Sequence, residues 1–289
     1  MTEPNRERLK KVVDRIVGLP TLPVMLSQIN RLMVNPRTSA KEVGQLISSD
    51  PAITSKILRV VNSSFYGFPN RITTITHAIV ILGFNTIKSI VLSSSIFDTF
   101  KGDGLEKRFN RMDFWKHSIG VGAVAKVLGR RRGYTSTEEF FIAGLLHDVG
   151  KIIIDQHLHE EFLEILDRVW NKGGKLMIEA EEDVLGVTHA ELGGWLFERW
   201  NLSKGLVECI TAHHNPAIAK ELPEHAAVIH IADVIARAMG IGNGGDPMIP
   251  VVSSHAWELI EIPISKLESI VEEADEEVER AMVFLDFAR

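Results

Sequence analysis

The chain has 289 residues, of which 45% are hydrophobic, so it is long enough to bury a sizeable core. Its formal net charge of −6 argues against non-specific nucleic-acid binding, because that binding requires a basic surface. The single cysteine, Cys209, excludes a disulfide within the chain and fits a reducing compartment.

Helical spacing of hydrophobic residues recurs from the N-terminus onward, whereas alternating strand patterns are almost absent. The first residues are charged and have no apolar core behind them, which argues against a signal peptide. Helices are predicted over Asn5–Val17 and Val24–Val34, with two prolines between them in Leu19–Pro23. Asp50 followed by proline has the pattern of a helix start. These observations predict an all-α fold.

An apolar pair of helices within Ile75–Phe97 is predicted to bend at Gly83. Polar residues interrupt this apolar run before it reaches the roughly 20 residues that a membrane span needs, so we expect a cytoplasmic protein without a membrane segment. The next segment, Lys101–Met112, is polar and contains two glycines, which is typical of a boundary between subdomains. We therefore predict an N-terminal helical bundle, residues 1–110, packed on a second helical bundle, residues 111–289.

Histidines and aspartates lie on apolar helical faces in the second half of the chain. Three polar residues interrupt the apolar stretch Phe140–Ile154, and a capping box at Thr188–Glu191 places a histidine in the first turn of its helix. Three- and four-residue spacing directs such groups towards the interior, where they are normally paired or bound to metal. The candidate residues are His117, His147, Asp148, Lys151, His189, His213, His214 and Asp233.

Imidazole nitrogens and carboxylates together suit a divalent transition metal such as iron, manganese, zinc or nickel. A single helical histidine such as His117 is more often a satisfied core residue than a ligand, so the joint arrangement is what favours metal binding. His147 and Asp148 are adjacent and are expected to diverge by about 100° on a helix. The Asp148 carboxylate is then free to bridge two ions, so we expect one or two ions in all.

Several other residues have simpler explanations. Cys209 lies among apolar residues and is expected to be a core thiol. Gly240–Pro250, with four glycines and two prolines, is expected to be the most flexible stretch. The acidic run Glu272–Glu279 is expected to be a solvated helix face. Glu181 and Glu182 are either acids that support a metal ligand or another solvated face.

Three motifs in the N-terminal half occur in a familiar order. They are LPTLP at Leu19–Pro23, DPAITSKILRVVNSSFYG at Asp50–Gly67 and ITTITHAIVILGFNTIKSIVLS at Ile72–Ser93. These motifs closely resemble the HDOD family, which comprises bacterial signalling domains related to the HD phosphohydrolases. The resemblance extends from about Leu19 to Asp233. It implies an HD-like helical bundle in the second half and a regulatory role without established catalysis.

The order of candidate ligands adds a second resemblance. His117, His147–Asp148 and Asp233 occur in the order of the HD superfamily's metal signature. His189 and His213–His214 resemble the additional ligands of the HD-GYP branch, which hold a further ion. The resemblance therefore implies that all seven residues are metal ligands.

The resemblance is incomplete on the substrate side. Lys151 matches a lysine that these enzymes use near the substrate phosphate, so Lys151 and Asp148 are the expected catalytic residues if the protein is an enzyme. Enzymes that degrade cyclic di-GMP carry an acidic residue and a Gly-Tyr-Pro element after the paired histidines. Here Asn215 stands at the acidic position and no Gly-Tyr-Pro follows, which argues against that reaction.

The sequence thus leaves three functions open. The favoured hypothesis is a cytoplasmic signalling module that binds a protein partner or a nucleotide second messenger, with a metal site of structural or sensory role. The first alternative is a metal-dependent phosphohydrolase that acts on a nucleotide or another phosphoester. The second alternative is a metal-free scaffold that binds protein.

Overall fold

Helices account for the regular secondary structure of the protein. The computed structural model describes residues 3–17, 22–100, 108–171 and 175–288, and no strand occurs among them. The predicted all-α fold is therefore confirmed. The prolines of Leu19–Pro23 and the expected boundary at Lys101–Met112 lie partly outside the described residues.

The chain folds into two compact units, and neither unit is continuous in sequence. Unit 1 comprises Met1–Gly18 and Gly102–Val278, and unit 2 comprises Leu19–Lys101 and Glu279–Arg289. The sequence predicted a single break between residues 110 and 111. The structure differs from this prediction at both ends of the chain. The first helix packs within unit 1, and the C-terminal aromatic residues pack within unit 2.

Unit 2 is built around one long helix. Asp50 accepts hydrogen bonds from the backbone of Ala52 and Ile53, which confirms the helix start predicted there. Gly83 interrupts the longest helix with φ 82° and ψ 165°, as the predicted bend requires. The helices are α2 (Leu22–Val34), α3 (Ala40–Ser48), α4 (Pro51–Val61) and α5 (Ile75–Thr99), with a C-terminal 3₁₀ segment at Met282–Phe287.

Aromatic contacts join the C-terminal segment to the rest of unit 2. Phe65, in the loop after α4, meets Phe284 edge-on with ring centroids 5.3 Å apart. Phe97 of α5 meets Phe287 in the same manner at 5.8 Å. All four rings are buried. The aromatic loop therefore packs, as its composition suggests.

Among the described residues, α5 is the one helix that is long and apolar enough to cross a membrane by length and composition. The core helix of a soluble protein meets the same two criteria, so this observation is weak evidence for a span. Within unit 2, α5 packs against α2, α3 and α4, and its buried residues include Ile79, Ile87 and Ile90.

The helices of unit 1 are α1 (Glu3–Val17), α6 (Arg111–Arg131), α7 (Glu138–Leu146), α8 (Val149–His157), α9 (His159–Trp170), α10 (Met177–Val184), α11 (His189–Arg199), α12 (Lys204–Ala212), α13 (Pro223–Ala238), α14 (Ser254–Ile260) and α15 (Leu267–Ala281), the last of which continues into unit 2. The α6 helix is buried on nearly every side and packs against α7 and α13. The α11 helix packs against α1, α8 and α12.

Small residues let α6 and α7 approach closely. A Cβ atom added to Gly144 would lie 2.7 Å from the Cα atom of Gly122, and one added to Gly122 would lie 2.6 Å from the carbonyl oxygen of Phe141. Real Cβ atoms essentially never come that close. The contact brings the two helices together near the residues that follow α7, which are His147 and Asp148.

The acidic run near the C-terminus is only partly solvated. Glu277 is buried and pairs with Lys126 of α6 at 2.9 Å, which the sequence did not predict. Cys209 is buried, and its burial raises the pKa of the thiol to about 12, as expected for a core residue.

Candidate metal centre

The predicted ligands come from five places in unit 1 and converge in its interior. His117 lies on α6, His189 lies in the first turn of α11, and Asp233 lies on α13. His147 ends α7 and Asp148 begins α8, so the pair lies at a junction between helices and not within one helix. The remaining pair, His213 and His214, follows α12. All these side chains are buried except His214, which is partly buried.

One group of ligand atoms gathers around the Oδ2 atom of Asp148. The Nε2 atoms of His147 and His117 lie 3.3 and 3.7 Å from it. The Oδ1 atom of Asp233 lies 3.1 Å from His117 Nε2 and 3.8 Å from His147 Nε2. The ligand atoms of His117, His147 and Asp148 all lie within 4.8 Å of one another and could hold a metal ion. We call these three residues and Asp233 the first group.

A second group gathers around the other oxygen of the same carboxylate. His189 Nε2 lies 3.0 Å and His213 Nε2 lies 3.8 Å from Asp148 Oδ1. His214 Nε2 lies 3.0 Å from His189 Nε2. These four residues also have ligand atoms within 4.8 Å of one another. Asp148 is thus shared between the groups, in the arrangement expected of a bridging carboxylate.

Unpaired polar atoms test whether these residues fit a metal. His117 Nε2, His147 Nε2 and Asp148 Oδ1 are buried and have no well-aligned hydrogen-bond partner among the described residues. Leaving a buried polar group unpaired costs on the order of 1–3 kcal/mol, so such atoms need an explanation. All three atoms point into the two groups. A cation bound there would satisfy them, and the donor set therefore fits a divalent transition metal.

The opposite ring nitrogens of three histidines are held by the protein. His147 Nδ1 lies 2.6 Å from the carbonyl oxygen of Gly144, and His213 Nδ1 lies 2.7 Å from that of Ile210. His189 Nδ1 lies 2.6 Å from Glu181 Oε2. Contacts of this kind fix the tautomer that leaves Nε2 free to bind metal. Glu181 is fully buried, so the explanation of a solvated face is wrong for this residue, and support of a metal ligand stays a prediction.

Burial keeps several of the imidazoles neutral, which is the form that binds metal. Desolvation lowers the pKa of His117. Desolvation and the neighbouring histidines hold the pKa of His213 and His214 well below the ordinary value. Burial also lowers the pKa of His189, but the carboxylates of Glu181 and Asp148 together outweigh that effect, and the pKa is raised.

The two aspartates remain charged because cations accompany them. Burial by itself raises the pKa of Asp148, but His147 and Lys151 outweigh it and hold that pKa well below the ordinary value. Lys151 is fully buried, and its Nζ atom lies 2.6 Å from Asp148 Oδ2. Burial likewise raises the pKa of Asp233, and Arg237 with His117 reverses the shift. Lys151 thus lies inside the candidate centre, where the sequence expected it.

Three residues near the centre were missed by sequence reasoning. Arg237 donates from Nε to Asp233 Oδ1 at 2.9 Å, and its spacing of four residues from Asp233 on one helix was the available signal. Gly244 lies so near the first group that an added Cβ would be 3.0 Å from His117 Cδ2 and 3.2 Å from Asp148 Oδ2. Asp246 is buried in the same glycine-rich loop. The segment expected to be the most flexible therefore lies against the centre.

Comparison with known proteins agrees with this fold. A crystal structure of an HDOD domain protein of unknown function from Geobacter sulfurreducens matches with a TM-score of 0.75 and 26% identity, over 97% of this chain and 98% of that one. A protein from Shewanella amazonensis, provisionally named a phosphohydrolase, matches with a TM-score of 0.73 and 24% identity, over 96% and 98% of the two chains. At that identity the second match shows the fold alone.

An uncharacterised protein from Treponema pallidum (strain Nichols) is 26% identical over 220 residues. The match covers 73% of this chain and 40% of the relative, so the chain spans less than half of that protein's length. The fold and the clustered ligands define an all-α protein with an HD-like candidate metal centre. The HDOD domain itself matches residues 19–216, and the chain belongs to the HDOD family.

Proposed function

We propose that this HDOD protein is a cytoplasmic regulatory module whose unit 1 binds a divalent transition metal, as one or two ions, in a structural or sensory role. The observation that carries the proposal is the set of buried ligand atoms that lack a well-aligned hydrogen bond: His117 Nε2, His147 Nε2 and Asp148 Oδ1. A core that needed these residues only for packing would leave them paired or replace them with apolar side chains.

Two features favour a regulatory role over catalysis. The ligands of the first group are almost fully buried, so a substrate has little direct access to them. Both aspartates of that group already carry a cationic partner, namely Lys151 on Asp148 and Arg237 on Asp233. A protein partner or a nucleotide second messenger is the proposed input or output, as the family resemblance implies.

Metal content is the decisive measurement. Purified protein is expected to hold about one equivalent or more of metal per chain, and His147→Ala is expected to weaken binding strongly because a first ligand is lost. His255→Ala is the matched control, since His255 is exposed and distant in sequence from every ligand. Less than about half an equivalent in the wild-type protein, with His147→Ala no different, would leave the metal-free scaffold as the better hypothesis.

A metal-dependent phosphohydrolase is the second candidate, and the position of Lys151 favours it. A bound divalent metal would supply Lewis-acid chemistry for phosphoester hydrolysis. Asp148 would be a shared ligand of the metal, and the buried ammonium of Lys151 would stabilise negative charge that develops on phosphoryl oxygens.

Turnover separates the two candidates. Generic phosphoesters and cyclic dinucleotides would be incubated with the manganese- or iron-loaded protein and with a His147→Ala, Asp148→Ala double variant. The regulatory proposal expects equal background rates for both proteins. A clear excess rate for the wild-type protein would make the phosphohydrolase the better description.

A further inference from the structure

Arg237 joins the candidate centre to the glycine-rich loop that follows α13. Its Nε atom donates to Asp233 Oδ1 at 2.9 Å, and its Nη1 atom donates to the carbonyl oxygen of Met248 at 3.1 Å. The same Nη1 atom lies 3.6 Å from Asp246 Oδ2. The side chain is largely buried, so these interactions are only weakly screened by solvent. One guanidinium thus contacts both a proposed metal ligand and the loop.

Asp246 in turn joins the loop to α10. Its Oδ2 atom accepts a hydrogen bond of 2.8 Å from the backbone of Met177, the first residue of α10, and its Oδ1 atom accepts one of 2.8 Å from the backbone of Met248. Glu181, one turn further along α10, accepts hydrogen bonds from the backbone and the ring of His189. Asp246 therefore lies between the helix that carries Asp233 and the helix that supports His189.

The loop reaches from the buried centre to the surface within eight residues. Gly244 packs against His117 and Asp148, and the carbonyl oxygen of Gly245 accepts a hydrogen bond of 3.2 Å from Trp170 Nε1. Three apolar side chains follow at the exposed end of the loop: Met248, Ile249 and Val251.

We propose that Arg237 and Asp246 are positioning residues that couple metal binding to the conformation of the loop 243–251. The proposal rests on the proposed metal site and adds a route by which metal binding changes the conformation of a surface loop. Asp233 Oδ1 lies 3.1 Å from His117 Nε2 and also accepts the hydrogen bond from Arg237, so an ion held in the first group would compete with the guanidinium for that oxygen. Arg237 would then pair more strongly with Asp246 and hold the loop more tightly.

The test uses the full chain and manganese as the probe. Asp246→Asn keeps the shape of the side chain and removes its charge. It is expected to weaken manganese binding about tenfold or more in calorimetric titration, as changes to groups behind metal ligands typically do. In the wild-type protein, manganese is expected to slow amide hydrogen exchange in the loop 243–251, and in Asp246→Asn this effect is expected to be lost.

Two further variants make the result specific. Asp14→Asn removes another carboxylate of unit 1, which pairs with Arg199 at 3.0 Å, and is expected to leave both readouts unchanged. Arg237→Lys keeps the positive charge but loses the forked contacts, so it is expected to show the same loss of loop protection. It replaces Asp246→Asn as the test if circular dichroism shows that Asp246→Asn folds poorly.

The outcomes also separate this inference from the proposed function. If Asp246→Asn and Arg237→Lys both keep the manganese affinity and the loop exchange of the wild-type protein, the coupling is wrong and the proposed metal site still stands. A wild-type protein that binds no metal would overturn the proposed function and the coupling together.

Discussion

Charge balance at single residues decides how the candidate centre behaves. Asp148 faces imidazoles on both of its oxygens, and Lys151 lies on one of them. Asp233 is accompanied by Arg237 in the same way. The two carboxylates are therefore largely neutralised before any metal binds, which limits how much extra positive charge the centre accommodates.

Acid is expected to destabilise the metal-free protein through its buried imidazoles. The pKa values of His117, His213 and His214 are lowered by burial, so the unfolded chain binds more protons than the folded one as the pH falls below about 6.5. The stability that these three neutral histidines contribute is fully present above that pH and is lost as the pH falls below it. The raised pKa of His189 acts in the opposite direction, whereas the lowered pKa values of His157, His225 and His230 add to the effect of the three buried imidazoles. Urea unfolding after metal removal, at pH 7.5 and 5.5, measures the difference.

Two variants identify the histidines that are responsible for the loss of stability in acid. His213→Gln is expected to reduce the loss of stability between the two pH values, because one buried imidazole no longer has to be protonated. His255→Gln, at an exposed position, is expected to keep the full loss. Equal urea midpoints for the wild-type protein at both pH values would contradict this explanation.

Sequence reasoning found the ligands more readily than their supports. His117, His147 and Asp233 stand out as candidate ligands because several titratable groups lie together on apolar helical faces, whereas a single such histidine would be read as a core residue. Arg237 carries a weaker signal, its spacing of four residues from Asp233 on one helix, which is equally typical of a solvated ion pair. Asp246 carries none, because its role depends on a tertiary contact with Met177 that no local pattern encodes.

Helix packing fixes the distance between the two ligand groups. Asp148 immediately precedes α8, and α11 begins with His189, so the contact between these helices sets how near the shared carboxylate lies to the second group. Gly150 lies at this contact. A Cβ atom added to Gly150 would overlap the backbone carbonyl group of His189, and backbone cannot move aside as a flexible side chain can.

Gly150→Ala is therefore expected to force α8 and α11 apart. The free energy of unfolding is expected to fall by about 1–3 kcal/mol, as for other overpacked cores, and metal affinity is expected to fall with it. Chemical denaturation and metal titration measure the two effects. Gly205→Ala is the matched control, because its added Cβ would meet only the end of the Leu222 side chain.

The control is expected to keep metal affinity and to lose little stability, since alanine is also the better helix former. Unchanged metal affinity in Gly150→Ala would show that the contact between α8 and α11 does not set the geometry of the centre.

Some elements were predicted well and others were not. Asp50 and Gly83 act through local backbone chemistry, so the helix start and the bend were correctly predicted. The placement of α1 with α11 depends on contacts between residues far apart in sequence, such as Arg6 with Glu191 at 2.7 Å. Hydrophobic periodicity identifies such a helix but not the helix against which it packs.

The whole molecule has its proposed ligands in only one of its two units. Bound metal stabilises the folded state by mass action, by about 2.7 kcal/mol at a free concentration one hundred times the dissociation constant. We expect the added protection against hydrogen exchange to appear in unit 1, which contains all the ligands. The helices α3 and α4 of unit 2 serve as the internal reference. Equal added protection in both units would indicate a single cooperative unfolding transition instead.

The discontinuous units also constrain the order of events during synthesis. Phe65 leaves the ribosome about 220 residues before Phe284, the ring against which it packs in the folded protein. At typical elongation rates, that interval lasts roughly 10–40 s. Throughout it, unit 2 lacks the segment Glu279–Arg289 and keeps part of its aromatic core exposed. Most of unit 2 is thus made well before the segment that completes its aromatic core, and the exposed rings are prone to aggregation during that interval.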